Sequence, residues 1–326
     1  MKQKNVVVIG GGTGSFTLLT GLKKHDVSLT ALVTMSDDGG STGILRDEYG
    51  VLPPGDVRQC IVALSDSQRL RDLFSYRFES GTFKGHSFGN VFLSTAEKMT
   101  GSFEEAVQMA SDVLHISGRV VPITTTNTQL VMQQPNGETV IGEYKIAHSR
   151  MDSRPQLELK PAAKITSSAA RAIAEADVIV IAPGNLYGSL APALLVEGVR
   201  EALVQSNATV AYVCNLVTKP KQTDGFMVHD YADEIERFIG SSRLDVVVYN
   251  TDEPAPSLLR KYTHDGEYIV DFDLEEMHKR HYKAIGLPLI DAEPVVSRQG
   301  DPIGHARTLI RHNADALSHV LLGLDK

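Results

Sequence analysis

Four short, small-residue segments and one histidine are the parts of this chain whose residue types and spacing suit chemistry. The first is Gly10-Gly11-Gly12-Thr13-Gly14-Ser15, directly after the apolar run Val6-Val7-Val8-Ile9. Without Cβ atoms, such a turn lets backbone N–H groups approach a phosphate at the start of the following helix. Gly11, Gly12, Thr13 and Gly14 are therefore expected on a phosphate or ribose. The dinucleotide fingerprint G-x-G-x-x-G would need glycine where Ser15 stands, and the next acidic residue after the second strand is Asp37. Both departures weaken an NAD(P)-dependent oxidoreductase, which stays as one alternative.

The second segment, Ser36-Asp37-Asp38-Gly39-Gly40-Ser41-Thr42-Gly43, leaves a strand end, where open α/β sheets place ligand loops. Asp37, Asp38 and Ser41 could hold a ribose, a base edge or a divalent cation; the plain alternative is an exposed Asp-Gly turn. In Pro53-Pro54-Gly55-Asp56-Val57-Arg58, Asp56 is expected to be the N-cap of a helix. Arg58 would then oppose the helix dipole and call for an anionic partner. His86 and Asn90 open a later helix, where a lone histidine is more often structural than a general base. Asn185 and Ser189 lie in a loop that ends at Pro192, with free amides near Gly188 and Ser189 expected to form a second anion site. Asn215 follows another strand.

These loops need a scaffold. Strand 5–9, helix 14–24 and strand 28–34 predict a β-α-β opening, and 35–56 reads as one long functional loop. Helices are expected over 57–65, 68–78, 88–99 and 103–114. A hairpin follows, with strands 129–132 and 139–142 about the turn Asn136-Gly137. Helix–strand pairs at 168–175/177–182, 192–205/208–214 and 229–239/244–249 restore a parallel pattern, and a last helix spans roughly 305–322. The fold class is thus α/β, a Rossmann-like, doubly wound, mostly parallel sheet. It forms a single domain over 1–326, with a helical insertion about 57–115 and a small β-hairpin lobe about 120–160. All the candidate loops fall on one edge of that sheet.

Composition bounds the partners. The net charge of -8 and pI near 5.8 argue against a nucleic-acid surface. Apolar runs are of strand length, so no membrane span is expected, and the first residues do not read as a signal peptide. The cysteines, Cys60 and Cys214, lack metal or disulfide spacing and are expected to be buried. A cytoplasmic protein is the expectation, with a homodimer as the default assembly.

In order, Gly-Gly-Gly-Thr-Gly at 10–14, Asp-Asp-Gly-Gly-Ser-Thr-Gly at 37–43, Pro-Pro-Gly-Asp-x-Arg at 53–58, His-x-x-Gly-Asn at 86–90, Ala-Pro-Gly-Asn at 182–185 and Cys-Asn at 214–215 resemble the YvcK group of the CofD-like family. That resemblance implies a cytoplasmic gluconeogenesis factor, required for growth on gluconeogenic carbon and for cell shape, that binds UDP-sugars such as UDP-N-acetylglucosamine. It leaves room for a protein partner in cell-wall regulation. CofD enzymes themselves transfer a phospholactyl group with Mg²⁺, so any such activity here would use Asp37 and Asp38 as metal ligands, and His86 or Asn90 to position the acceptor. Arg311-His312-Asn313-Ala314 resembles the family's Arg-His-Asp-Thr segment, which implies that Arg311 reaches a diphosphate. Two departures are local: Gly188 replaces a hydroxyl residue, and Lys219-Pro220-Lys221-Gln222-Thr223 replaces a Gln-x-Gly-Glu-Thr run.

Overall fold

The computed structural model describes residues 3–134, 136–151, 153–291 and 310–324. Strand β1 (Lys4–Gly10) runs into α1 (Gly12–Leu22) and β2 (Val27–Val33), all joined by short turns. The expected loop 35–56 contains a helix, α2 (Gly40–Tyr49). Its small residues hid it, but Ser41, Thr42, Leu45 and Arg46 bury one face, and Gly50 ends it in the left-handed conformation at φ 63°. Helices α3 (Gly55–Leu64), α4 (Gln68–Ser75), α5 (Phe88–Thr100) and α6 (Phe103–Leu114) then lead to β3 (Arg119–Pro122). They form the β2–β3 crossover: Val57, Ile61, Leu64, Leu93 and Leu114 share one core with Val6, Val8 and Val33.

Strands β4 (Gln129–Gln133), β5 (Thr139–Ile141) and β6 (Gln156–Lys160) make a separate antiparallel sheet, ordered β5-β4-β6. The expected hairpin is therefore the first two strands of a three-stranded lobe. Between β5 and β6 lies α7 (Glu143–His148). The chain returns to the main sheet through α8 (Ser167–Glu175) and β7 (Val178–Ile181). The expected helix 192–205 is broken into a π turn at Leu186–Leu190, α9 (Ala191–Leu194) and α10 (Val199–Gln205). Gly198, at φ 93°, interrupts it.

Then come β8 (Thr209–Val213), α11 (Val228–Ile239), β9 (Val246–Asn250), α12 (Pro256–His264), α13 (Leu274–His278) and β10 (Lys283–Leu287). The last helix, α14 (Ala314–Leu322), begins later than the expected 305: residues 310–313 are not helical and 305–309 lie outside the described residues. Asn313 caps it, accepting from the Ala316 N–H at 2.9 Å.

The seven-stranded sheet is ordered β10-β9-β8-β7-β1-β2-β3, and every pairing in it is parallel. Helices cover both faces, as a parallel sheet requires. Val7, Ile9, Ile179 and Ile181 point to one core, Val6, Val8, Val178 and Val180 to the other. Successive strands run outward in one direction from β1 and in the other from β7. The order therefore reverses between these two neighbours, which is where an open α/β sheet leaves a ligand crevice. Among the described residues no helix is long and apolar enough to cross a membrane.

Candidate functional site

The crevice is built by two loops that touch. A Cβ on Gly14 would lie 1.8 Å from the carbonyl oxygen of Pro183, and one on Gly10 would lie 3.2 Å from the Cβ of Ala182. Ser15 Oγ, buried with no hydrogen-bond partner, stands 2.8 Å from that same Gly10 position. The residue that departs from the dinucleotide fingerprint thus packs the turn from behind. Helix α1 has no side-chain cap at Gly11, so the first-turn N–H groups of Thr13 and Gly14 lack intrahelical acceptors.

The Gly12 N–H is taken by the carboxylate of Asp56. Asp56 does not cap α3, which starts at Gly55 after Pro54; its side chain turns instead under the glycine loop and accepts from Gly12. A Cβ on Gly11 would lie 2.1 Å from Asp56 Oδ2. Burial, then repulsion from Asp37, pushes the Asp56 carboxyl up to about 7, against the pull of the Gly12 N–H and Arg58.

Asp37 is also raised, chiefly by burial, although the Gly39 N–H donates to its Oδ1 at 2.9 Å and the Thr42 hydroxyl bonds to it. Asp38 has another job. It accepts the Tyr144 N–H at 2.7 Å and so holds the first turn of α7 over the crevice. That turn carries Glu143, whose Oε1 is 2.3 Å from where a Cβ on Gly188 would sit. Burial, then Asp37, Asp56 and Asp38, pushes the Glu143 carboxyl up to about 8, while Lys219 pulls it down. Gln222 secures the far end of α7, donating to the Ile146 carbonyl at 2.8 Å.

Four of the expected site residues form one hydrogen-bonded chain. Arg58 Nε donates to Asn90 Oδ1 at 2.9 Å, Asn90 Nδ2 donates to Ser41 Oγ at 3.2 Å, and Ser41 Oγ lies 2.9 Å from His86 Nδ1. The chain joins α2, α3 and α5 behind the acidic floor and fixes Arg58 beside Asp56. Asn90→Ala removes the acceptor of Arg58 Nε and the donor to Ser41 Oγ, which costs about 1–3 kcal/mol. Urea denaturation is expected to show a loss of that size, and Asn90→Asp, which keeps one acceptor for Arg58, is expected to lose less.

Two expected anion contacts are not as read. Asn185 turns its own Oδ1 to the N–H groups of Tyr187 and Gly188, at 3.3 and 3.1 Å, and its carbonyl accepts from Ser189. The amides near Gly188 and Ser189 are thus satisfied within the π turn rather than free for an anion. Asn215 braces the same loop: its Nδ2 donates to the Gly184 carbonyl at 2.7 Å. Arg311 belongs to a segment pinned at the same edge, where neighbouring His312 donates from Nε2 to the Cys214 carbonyl at 3.0 Å. Burial lowers His312 to about 4, so its imidazole is neutral. Both cysteines are buried and free, and burial raises their thiols.

Asp56 and Glu143 are the residues missed. Asp56 lies in Pro53-Pro54-Gly55-Asp56-Val57-Arg58, whose local pattern favours a helix cap, whereas no local pattern marks Glu143, which arrives from the antiparallel lobe. Among the described residues, no group of three or more His, Cys, Asp or Glu is arranged to hold a metal.

Comparison with known proteins gives the family. The family described as 2-phospho-L-lactate transferase CofD matches residues 6–290. The chain belongs to the CofD family. Within it, the gluconeogenesis factor of Bacillus subtilis is 35% identical over 334 residues, covering all of both chains. That of Halalkalibacterium halodurans is 38% identical over 324 residues, 99% of this chain and 97% of the relative. A crystal structure of a UPF0052-family protein from Bacillus halodurans superposes with a TM-score of 0.90 at 36% identity, covering 99% of each chain. The CofD-family chain thus carries its glycine loop, acidic floor and π turn on a scaffold observed experimentally in a relative.

Proposed function

We propose that this chain is a gluconeogenesis factor that binds a UDP-sugar of the UDP-N-acetylglucosamine type and couples it to carbon metabolism and cell shape. One observation carries the reading: the strand order reverses between β1 and β7, and the glycine loop and π turn meet there. A diphosphate suits the first-turn amides of Thr13 and Gly14, where the helix dipole favours anions. Carboxylates are acceptors, and Asp37, Asp56 and Glu143 suit the hydroxyl donors of a ribose and a sugar. Arg58 and Arg311 balance the diphosphate charge. The names of the relatives support the gluconeogenic role. This reading places the protein in the cytoplasm, as a homodimer with a protein partner in cell-wall regulation.

A second reading is a Mg²⁺-dependent transferase of the CofD type. It is favoured by the closeness of Asp37 and Asp56, the charge of Asp37 helping to raise the Asp56 carboxyl. Two hard-oxygen carboxylates with ligand phosphates fit Mg²⁺, which would neutralise charge on the transferring phosphoryl group. His86 and Asn90, tied through Ser41, would then position the acceptor.

Thermal unfolding with UDP-N-acetylglucosamine, UDP-glucose, GDP and NADP⁺, with and without Mg²⁺, separates the readings. A UDP-sugar at about 100 times its dissociation constant should add about 2.7 kcal/mol, a shift of a few degrees, without metal. Stabilisation by GDP with Mg²⁺ alone, lost in Asp37→Ala, would overturn the binding-protein reading in favour of the transferase.

A further inference from the structure

The π turn at Leu186–Leu190 puts Gly188 and Ser189 at the crevice lip, while its second residue, Tyr187, points the other way into the core, 1% exposed. Single π turns inside helical segments are rare and recur at functional sites. The Tyr187 ring meets Phe238 of α11 edge-on, with centroids 6.1 Å apart. Its hydroxyl lies beside the fully buried carboxylate of Glu234, one helical turn before Phe238.

Glu234 is held from the other side by two arginines. Arg237 donates from Nε to Oε1 at 2.9 Å and from Nη2 to Oε2 at 2.6 Å. Arg154 Nε lies 3.3 Å from Oε1. Arg237 also donates to the Pro155 carbonyl at 3.1 Å, tying the cluster to the antiparallel lobe that supplies α7, and its guanidinium sits 4.3 Å over the Phe238 ring. Burying the Glu234 carboxylate costs desolvation that an apolar residue of equal volume would avoid, so stability alone is a weak reason for it. What it does supply is a fixed direction for the Tyr187 hydroxyl.

We propose that Glu234 is a positioning residue for the ligand crevice, anchoring the π turn through the Tyr187 hydroxyl and so setting where Gly188 and Ser189 stand opposite Glu143 and the glycine loop. The inference rests on the nucleotide-sugar reading for its ligand, but the anchor itself is independent of it. Glu234 touches no ligand; it acts through Tyr187.

Glu234→Gln leaves two arginines short of a counter-charge and can fail to fold, so Tyr187→Phe is the decisive variant. It keeps the ring and removes only the anchoring hydroxyl. Amide hydrogen exchange within residues 186–190 is expected to quicken about tenfold while β7 and β8 exchange as before. Binding of UDP-N-acetylglucosamine, measured well below the melting temperature, is expected to weaken about tenfold. Unchanged exchange in 186–190, or quickening spread evenly over the chain, overturns the anchor. Local quickening with unaltered affinity overturns its role in the crevice. If the parent protein binds no UDP-sugar, the nucleotide-sugar reading fails, and the exchange result still decides the anchor.

Discussion

Asp56→Asn is expected to make the ligand-free chain more stable than the parent at pH 8, with the advantage vanishing near pH 4. The Asp56 carboxyl is pushed up from 3.8 to about 7 by burial and by Asp37. A carboxyl raised in the folded state stabilises the fold while protonated. That contribution is complete below the unfolded value and is lost as pH rises through the folded one. Each pKa unit is worth about 1.4 kcal/mol, so the charge costs the fold up to about 4 kcal/mol above pH 7. Glu143, raised to about 8, and Asp37 share the same repulsion, which brings the expected gain nearer 2 kcal/mol. Asn retains an oxygen to accept the Gly12 N–H, so only the charge is removed. Urea midpoints of both proteins from pH 4 to pH 8 decide it: a difference that grows with pH agrees, and a constant offset would show that the charge is already compensated.

The second large effect is expected at Gly14. Its Cβ position lies 1.8 Å from the Pro183 carbonyl oxygen and 2.8 Å from the carbonyl carbon. The obstacle is backbone, which cannot swing away as a side-chain tip can. Gly14→Ala must push the glycine loop and the β7 loop apart, at a cost of about 1–3 kcal/mol or more. Gly12→Ala is the contrast. There the nearest atom is Asp56 Oδ1 at 3.8 Å, so space is available and only the φ of 67° resists, at about 1–2 kcal/mol. Gly14→Ala should lose both stability and UDP-sugar affinity, each by more than Gly12→Ala. Equal losses would mean that loop contact is not what shapes the crevice.

The alternation of apolar strands with amphipathic helices was legible because a parallel sheet buried on both faces needs continuous runs such as Val178-Ile179-Val180-Ile181. Strand ends fell within a residue or two for that reason. Helix α2 was not legible: Gly39, Gly40 and Gly43 look like loop residues, and only the burial of Leu45 and Arg46 makes a helix of them. Strands β3, β6 and β10 were missed too, because polar residues or glycine interrupt their apolar runs, as in Gln156-Leu157-Glu158-Leu159-Lys160.

The site was legible as motifs but not as roles. Asp37, Ser41, Arg58, His86 and Asn90 come together in the fold because each follows a strand or opens a helix at the same edge. Asp38, Asn185 and Asn215, chosen on the same ground, also bond backbone groups of their own or neighbouring loops. Glu143 could not be foreseen. Its place depends on an antiparallel lobe folding α7 back across the sheet edge, a long-range arrangement with no local signature.

The central claim is that a nucleotide-sugar diphosphate lies where β1 and β7 part. The direct measurement is a crystal structure of the chain with UDP-N-acetylglucosamine. The account predicts the diphosphate against the amides of Thr13 and Gly14, with sugar or ribose hydroxyls on Asp37, Asp56 or Glu143. Nucleotide density elsewhere on the molecule, with the crevice between residues 10–15 and 182–190 holding only water, would contradict it.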